Sequence, residues 1–334
     1  MFKDMLKTML AAYGATGREQ NVSNVIRSFV EPYADEIYND VMGNLIAVRT
    51  GESGKKIMLS AHMDQIGFIV IDIDEKGFLR VSNVGGINPF ISVARAVVFE
   101  SGVQGVLFCE PEKGMKEASM STLFIDIGAK DYEEAASKVS IGDVAVYVSN
   151  YMELGDRVSC GALDDRICCA IVAEAFMNAP RIHDVYAVFT VQEDVGLRGA
   201  TTAAYAINPD FGINLDVTAV GDIPKCAKMS VKLGNGPTIK VMDSSAIIPK
   251  FVRNHLERVA CENNITVQNE VLAAGGTDAG AVLKTRGGIP ACCISIPTRY
   301  IHTPVETADM RDCLGAIDFV RALLSEKEIP AFKA

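Results

Sequence analysis

The sequence contains no apolar run that approaches the ~20 consecutive residues of a membrane-spanning helix. At its start, Lys3 and Asp4 place charges where a secretory signal would have an apolar segment. These features disfavour a membrane protein and a secreted precursor. We therefore expect the chain to work in the cytoplasm and to have no membrane partner.

An excess of positive charge is also missing, since 32 Lys and Arg residues face 42 Asp and Glu residues and the net charge is −10. Proteins that bind nucleic acids normally present basic surfaces to the phosphates, so we expect no nucleic-acid partner. The sequence also lacks a GxSxG elbow, a P-loop and a GxGxxG pattern. The commonest serine-hydrolase and nucleotide-binding classes are therefore disfavoured.

The nine cysteines are odd in number and include no CxxC pair. Two adjacent pairs, Cys168-Cys169 and Cys292-Cys293, lie in apolar contexts. A disulfide framework or a thiolate zinc site is therefore unexpected. The cysteines are interpreted as small buried hydrophobic residues in a reducing compartment.

The 334 residues suffice for more than one domain. Apolar periodicity predicts helices over 5–10 and 21–30 and strands over 44–48 and 57–60. From residue 68 to 159, short apolar runs broken by turns predict antiparallel β-structure with one helix at 132–138. After residue 160, strands and helices alternate until a closing helix over 307–325. This order predicts a three-layer α/β domain (1–67 and 160–334) with a mixed sheet and an inserted, barrel-like β-rich domain (68–159).

Metal-binding residue types follow several predicted strands of the α/β part. His62 and Asp64 follow the strand at 57–60, and in an extended segment they point to the same side, so one can ligate a metal that the other orients. Four later strand ends add Asp164, Glu193 with Asp194, Asp216, and His302. Active sites of open α/β sheets collect at this edge. Two imidazoles with several carboxylates suit zinc, cobalt or manganese.

Each of these residues has an ordinary alternative, because acidic residues at strand ends often cap a helix and a lone histidine is usually packed or exposed. The joint pattern favours a shared metal site, since Glu193 and Asp194 would repel each other unless a cation holds them. A carboxylate that bridges two ions ~3.5–4 Å apart would make a dinuclear hydrolytic site, with a non-ligating carboxylate as base. His183 and His255 have no such neighbours and are predicted to be structural or surface residues.

A glycine-rich turn, Gly275-Gly276-Thr277-Asp278-Ala279-Gly280, leads into a predicted helix. Such a turn can cradle an anion or a substrate backbone, or it can simply cap the helix tightly. The sequence leaves these alternatives open.

At these residues the sequence resembles the TET-type, or glutamyl aminopeptidase, family of dinuclear metallo-aminopeptidases, some of which have been called cellulases or endoglucanases. The resemblance runs from the first to the last predicted helix. Its most diagnostic segments are AHMDQIGF (61–68), GALDDR (161–166), TVQEDVGLRGA (190–200), GGTDAGA (275–281) and IPTRYIHTPVE (296–306).

The resemblance implies hydrolysis of N-terminal residues from peptides with two divalent ions per subunit, zinc or cobalt, with manganese as an alternative. A water between the ions would attack the peptide, Glu193 would be the general base and Asp64 would orient His62. The resemblance also implies homo-oligomers, from dimers to tetrahedral dodecamers, with subunit contacts made by the inserted domain. The implied ligands are His62 and Asp216 for one ion, Asp194 and His302 for the other, and Asp164 as the bridge.

Two positions depart from the family pattern. Asp194 stands where the family usually has Glu, and the shorter side chain predicts either a different position or a weaker binding of the second ion. Asp165 stands where the family usually has Asn, which adds negative charge. The competing functions are a metal-dependent amidohydrolase that removes N-acyl groups and, from a different class, an endoglucanase, which would need two carboxylates and no metal.

Overall fold

The strands of the computed structural model, which describes residues 2–111 and 114–331, form one large sheet and one closed barrel. The helices are α1 (Phe2–Ala11), α2 (Gln20–Val30), α3 (Pro89–Ser92), α4 (Tyr132–Ala136), α5 (Leu163–Met177), α6 (Arg198–Ile207), α7 (Lys250–Glu262), α8 (Asp278–Lys284) and α9 (Met310–Ser325). The strands of the large sheet are β1 (Glu36–Asn39), β2 (Leu45–Arg49), β3 (Lys56–His62), β10 (Met152–Leu154), β11 (Arg157–Cys160), β12 (Asp184–Thr190), β13 (Phe211–Thr218), β14 (Thr238–Met242), β15 (Gln268–Val271), β16 (Ala291–Arg299) and β17 (Glu306–Asp309). The strands of the barrel are β4 (Gly67–Ile73), β5 (Leu79–Val84), β6 (Arg95–Phe99), β7 (Gln104–Cys109), β8 (Leu123–Asp126) and β9 (Val144–Tyr147).

The large sheet has eleven strands and mixed directions. Its main path is β1-β2-β12-β3-β13-β16-β17-β11-β10, while β14 pairs with β15 and β16. The four central strands β12, β3, β13 and β16 are parallel neighbours. Their buried, nearly continuous apolar sequences are typical of strands that helices cover on both faces.

Helices cover both faces of this sheet and complete three layers. Apolar side chains of α1, α2, α5, α7 and α9 pack together in the core on one face. On the other face, Ala203, Ala204 and Ile207 of α6 and Val282 of α8 pack against Ile46 and Met58. The predicted three-layer α/β class with a mixed sheet is thereby confirmed.

The barrel strands run in the order β4-β5-β8-β7-β6-β9, and their neighbouring pairs are antiparallel. Strand β7 shows how the sequence gives the barrel an inner and an outer face, because its residues alternate strictly between exposed and buried. Apolar residues from all sides, among them Phe68, Leu107 and Ile125, fill the interior. The expected barrel-like β-unit is present, whereas the exact limits of the two domains stay a prediction.

The buried guanidinium group of Arg166, in α5, fixes the segment that follows α1. It donates to the carbonyl oxygens of Met9, Ala12 and Gly14 at 3.1, 2.5 and 3.4 Å. The last carbonyls of a helix have no partner within the helix, so an external donor satisfies them. This anchor holds the chain on its way to Thr16 and the start of α2.

The predicted closing helix differs from the structure at its beginning. Residues 306–309 form β17, which pairs with β11 and β16, and α9 begins only at Met310. Four residues carry too little periodicity to reveal a strand whose partners lie far away in the sequence. In the two described ranges, no helix has the length and apolar character needed to cross a membrane.

Candidate metal centre

The predicted site residues converge at the carboxyl edge of the parallel strands. His62, the last residue of β3, lies opposite Thr190, the last residue of β12. Glu193 and Asp194 follow β12, and Asp216 lies on the neighbouring β13. Asp164 lies at the start of α5, just beyond β11, and His302 lies in the turn between β16 and β17. Because parallel strands end at one edge, residues far apart in sequence share one site.

The carboxylate of Asp164 stands between the two imidazole rings. Its Oδ1 atom lies 3.1 Å from Nε2 of His62, and its Oδ2 atom lies 3.2 Å from Nε2 of His302. Each oxygen therefore faces a different imidazole nitrogen. This is the arrangement that a carboxylate bridge between two metal ions requires.

Asp216 and Asp194 complete the candidate ligands. Ligand atoms of His62, Asp164 and Asp216 all lie within 4.8 Å of one another and form the first group. The second group, Asp164, His302 and Asp194, is connected only by pairwise distances to His302, whose Nε2 atom lies 3.2 Å from Asp164 and 3.8 Å from Oδ1 of Asp194. Imidazoles and carboxylates are a donor set that fits divalent ions such as zinc, cobalt or manganese.

Asp64 lies beneath His62 and binds the loop that carries Glu193. Nδ1 of His62 lies 3.1 Å from the Asp64 carbonyl oxygen and 3.4 Å from Oδ1 of its carboxylate. A proton on Nδ1 would leave the Nε2 lone pair free for a ligand position. Distance alone also groups Asp64 with His62 and Asp194. However, its two oxygens already accept hydrogen bonds from the Glu193 and Asp194 amides and from the Thr16 hydroxyl, which favours an orienting role.

Glu193 lies beside the first group without joining it. Its Oε2 atom is 3.9 Å from Nε2 of His62, whereas the nearest Asp164 oxygen is 3.1 Å from the same nitrogen. Burial raises its pKa well above the usual carboxylate range, and the charges of nearby carboxylates, including Asp216, add to this effect. This separation is similar to the 3.8 Å between Asp194 and His302, so distance alone does not distinguish a ligand from a proton acceptor at these two carboxylates.

The other carboxylates show how much negative charge the site concentrates. Burial raises the pKa of Asp216 well above its usual value and that of Asp194 to about 7, with Asp64 adding to the effect on Asp194. Burial would also raise the pKa of Asp164, but hydrogen bonds from the His302 and His62 rings hold it below its usual value. So many buried carboxylates repel one another, and divalent cations would relieve that repulsion.

Negative charge also raises the pKa of the two histidines, although burial acts on them in the opposite direction. Burial alone would lower the pKa of His62, but the carboxylates of Asp164 and Asp64 outweigh it and the pKa lies well above its usual value. Burial is likewise outweighed at His302, where Asp164 raises the pKa to about 9. Both rings therefore lie in a strongly negative environment.

Sequence reasoning missed Glu306, which hydrogen-bonds to the backbone of one candidate ligand in each group. This carboxylate is 2% exposed. It accepts hydrogen bonds from the Asp164 amide at 2.9 Å and from the His302 amide at 2.8 Å. Burial, with the charge of Asp164, raises its pKa to about 8. An acidic residue four positions after His302 was the available signal.

The glycine-rich turn brings a further carboxylate close to the site. Asp278 accepts a hydrogen bond from the Thr190 hydroxyl at 2.6 Å, and burial raises its pKa to about 6. Gly280 packs against Ser245, because a Cβ atom on Gly280 would lie 2.3 Å from the Ser245 hydroxyl oxygen. Packing thus explains one glycine of the turn, and the anion-cradle alternative stays a prediction.

The remaining two histidines lie apart from the centre, in agreement with the sequence interpretation. The buried His183 ring contacts the Ser53 hydroxyl at 2.7 Å and the Glu326 carbonyl oxygen at 2.9 Å. The His255 ring lies against Phe211, with ring centroids 6.3 Å apart. The cysteines are free thiols, most of them buried, as their interpretation as small hydrophobic residues requires.

The chain is similar to known proteins over most of its length. A family model described as M42 glutamyl aminopeptidase matches residues 43–319. Among curated proteins, "Putative aminopeptidase" of Acetivibrio thermocellus is 48% identical over 94% of this chain and 96% of its own. Lysyl aminopeptidase of Pyrococcus furiosus is 35% identical over 97% of this chain and 96% of its own.

Solved structures agree as well. An aminopeptidase from the archaeon Desulfurococcus kamchatkensis has a TM-score of 0.93 and 36% identity, covering 97% of this chain and 94% of its own. The Pyrococcus horikoshii TET1 peptidase, which can assemble into a tetrahedron or a large octahedral shell, has a TM-score of 0.88 and 32% identity, covering 97% and 99%. These similarities extend over almost the whole of each chain.

Proposed function

Since the chain belongs to the M42 glutamyl aminopeptidase family and is an aminopeptidase, we propose that it removes N-terminal residues from peptides at a centre for two divalent ions. The observation that carries this proposal is the carboxylate of Asp164, whose two oxygens face two imidazoles at 3.1 and 3.2 Å. Zinc and cobalt suit the donor set best, and manganese is an alternative.

The proposed ligands follow the two groups around Asp164. His62 and Asp216 would hold one ion, Asp194 and His302 would hold the other, and Asp164 would contribute to both. Asp64 orients His62, and Glu306 supports the backbone of Asp164 and His302. When bound, the ions supply Lewis acidity toward the attacking water and the scissile carbonyl group.

Glu193 is the proposed general base. Its carboxylate takes a proton from the attacking water and later delivers it to the leaving amine. Its backbone amide donates to Asp64 at 3.0 Å, so the residue that orients His62 also holds the base. The surrounding carboxylates favour a positively charged amino terminus on the substrate, which accounts for exopeptidase activity.

The barrel is the proposed site of subunit contacts in a homo-oligomer, from a dimer up to a dodecamer. Val106 and Phe108 support this assignment, because both project from the outer side of β7 and are 52% and 38% exposed. Apolar side chains grouped on an outer face are a common feature of interaction sites. The cytoplasmic location stays a prediction.

The test of the base is Glu193→Gln, which keeps the size and removes the proton acceptor. Hydrolysis of aminoacyl-anilides should fall by about 10²–10⁴-fold, the usual contribution of general acid–base catalysis. Metal content, measured by atomic emission, should stay the same because Glu193 is not a ligand. Glu257→Gln, the same change at an exposed residue of α7, is the control. Loss of metal together with activity would show that Glu193 and Asp194 have exchanged roles.

The same assay tests the metal and the rival activity. Chelation should abolish hydrolysis, and zinc, cobalt or manganese should restore it. N-acetylated aminoacyl-anilides should not be cleaved, because the proposed enzyme needs a free amine. Preferred cleavage of the acetylated substrates would favour the amidohydrolase, and full activity after verified metal removal would contradict the metal centre.

A further inference from the structure

The loop that carries the proposed base is bound at every backbone amide from residue 191 to residue 194. Each of these four N–H groups donates to a side chain from another segment. The pairs are Val191 with Asn44 Oδ1 at 3.0 Å, Gln192 with Glu19 Oε1 at 3.2 Å, Glu193 with Asp64 Oδ1 at 3.0 Å, and Asp194 with Asp64 Oδ2 at 3.3 Å. Of these acceptors, Asn44 and Glu19 have no place in the mechanism described so far, and Glu19 is the ionisable one.

Gln192 is the residue of this loop whose backbone most needs support. Its φ angle is +54°, in the left-handed region that residues with a side chain rarely adopt. Such a conformation persists only where neighbouring groups hold it. It turns the chain between the end of β12 and Glu193, and therefore sets the direction in which the Glu193 side chain leaves the loop.

Glu19 occupies the position just before α2, where short polar side chains such as that of aspartate often accept a hydrogen bond from the first turn of their own helix. Its side chain makes no such bond. The carboxylate instead turns inward, is 7% exposed, and accepts the amides of Gly17 at 2.7 Å and Gln192 at 3.2 Å through Oε1. Glu19 therefore connects the N-terminal segment to the catalytic loop.

This placement is unfavourable for a residue with a purely local role. Burial raises the pKa of Glu19 to about 7, and the charge of Asp64 adds to the effect. A carboxylate at the helix end could cap α2 while remaining hydrated and would avoid both penalties. The hydrogen bond to Gln192 is the contact that the inward position gains.

We infer that Glu19 is a positioning residue for Glu193. Through Oε1 it fixes the left-handed backbone of Gln192, and thereby the orientation of the base, without touching substrate or metal. The inference depends on the proposed function, because it assumes that Glu193 is the base. An amide oxygen at the same place could accept the same two hydrogen bonds.

The test compares three substitutions of Glu19 in the metal-loaded enzyme. Glu19→Gln retains an acceptor at the same reach and should keep kcat within about threefold of the wild-type value. Glu19→Ala removes the acceptor and should lower kcat by about 10–100-fold, since small misplacements of catalytic groups have effects of this size. KM and metal content should change little, because the substrate and metal contacts remain.

Glu19→Asp separates positioning from helix capping. Aspartate withdraws the carboxylate by ~1.5 Å, about one C–C bond, and is itself a preferred cap. A capping role predicts that Glu19→Asp leaves kcat unchanged and maintains or raises Tm. The positioning role predicts a lower kcat with Tm maintained, and this variant also gives a result if Glu19→Ala fails to fold.

Gln20→Ala is the matched control, because the side chain of this exposed neighbour donates to Asn24 Oδ1 within its own helix. Unchanged kcat in both Glu19→Ala and Glu19→Asp, or a Gln variant as impaired as the Ala variant, would overturn the inference. Glu193→Gln is measured in parallel. If Glu193→Gln retains activity, the proposed function has failed. If it loses activity while the Glu19 variants do not, only the inference about Glu19 has failed.

Discussion

The barrel contacts the proposed second metal site through Gly86, and substitution of this glycine should weaken one ion selectively. A Cβ atom on Gly86 would lie 2.9 Å from both Cε1 and Nδ1 of the His302 ring, with no other contact within 4 Å. The φ angle of Gly86 lies outside the left-handed region, so Gly86→Ala tests the space and not the backbone conformation. The imidazole is the movable partner, because it is the end of a side chain.

The size of the effect follows from contact distances. Carbon atoms in contact are ~3.5–4.0 Å apart, so the ring must withdraw by roughly 0.6–1 Å. Metal–nitrogen distances of ~2.0–2.1 Å tolerate deviations of only about 0.2 Å. We therefore expect affinity for the ion at His302 and Asp194 to fall by about 10–100-fold, as when the support of a ligand is lost. The ion at His62 and Asp216 should keep its affinity.

Calorimetric titration of zinc or cobalt into metal-free protein would resolve the two binding steps. The control is Gly287→Ala, where a Cβ atom would meet nothing within 4 Å. The expected result is one unchanged and one weakened step in Gly86→Ala, with two unchanged steps in the control. Two wild-type steps, or two equally weakened steps, would refute the selective contact between the barrel and His302.

Further predictions concern the second ion, the assembly and the pH dependence of stability. Asp194→Glu, whose side chain reaches ~1.5 Å further, should strengthen the weaker metal-binding step or change the preferred ion; two equally tight sites that the substitution leaves unaltered would show that the backbone already compensates. Val106→Asp combined with Phe108→Asp should yield a smaller oligomer by light scattering. The control is Gln104→Asp, on the same face of β7, and an unchanged oligomer size in the double variant would show that this face makes no subunit contact. Burial raises the pKa of Asp312 to about 6, so its contribution to stability should be lost as pH rises from about 4 to 6. Asp312 accepts hydrogen bonds from the amides of Gly234 and Gly236, and asparagine has one acceptor oxygen fewer, so Asp312→Asn should be less stable at every pH. The difference in unfolding free energy between the two proteins, measured by chemical denaturation, should shrink as pH rises from about 4 to 6. A difference that stays constant or grows would contradict the raised pKa.

Much of the fold could be predicted because its signals are local. The apolar face of α1 and the mostly apolar sequence at the start of β13 identify a helix and a central strand from a few consecutive residues. Strand β17 could not be predicted in this way, since its four residues become a strand only through pairing with β11 and β16. The candidate ligands could be proposed because each combines a metal-binding residue type with a position near a strand end.

The supporting residues of the site were missed for a different reason. Glu19 and Glu306 are ordinary carboxylates in the sequence, and their roles arise from amides that lie 173, 142 and 4 positions away. Gly86 carries no functional group at all, and its importance arises from the absence of a side chain next to His302. Contacts of this kind depend on packing between distant segments, which no local pattern encodes.

The two departures from the family pattern make different demands on the structure. At position 165, the side chain accepts the His62 amide at 3.3 Å through Oδ2, a bond that an asparagine oxygen can accept equally well. Aspartate at this position, in place of asparagine, therefore retains the hydrogen bond with the His62 amide and changes the local charge. Burial, with Asp216 nearby, raises the pKa of Asp165 well above its usual value.

Position 194 is different, because the side chain itself is a proposed ligand and its length determines its reach. The barrel limits how this position can adjust, since a Cβ atom on Gly85 would lie 3.1 Å from the Cβ atom of Asp194. Gly85 and Gly86 thus lie against both proposed ligands that belong to the second ion alone. A side chain at position 85 would collide with Asp194, so the barrel leaves little free space on that side of the ligand. We therefore expect the second ion to be the weaker one, and to be the one whose affinity responds when the position of the barrel changes.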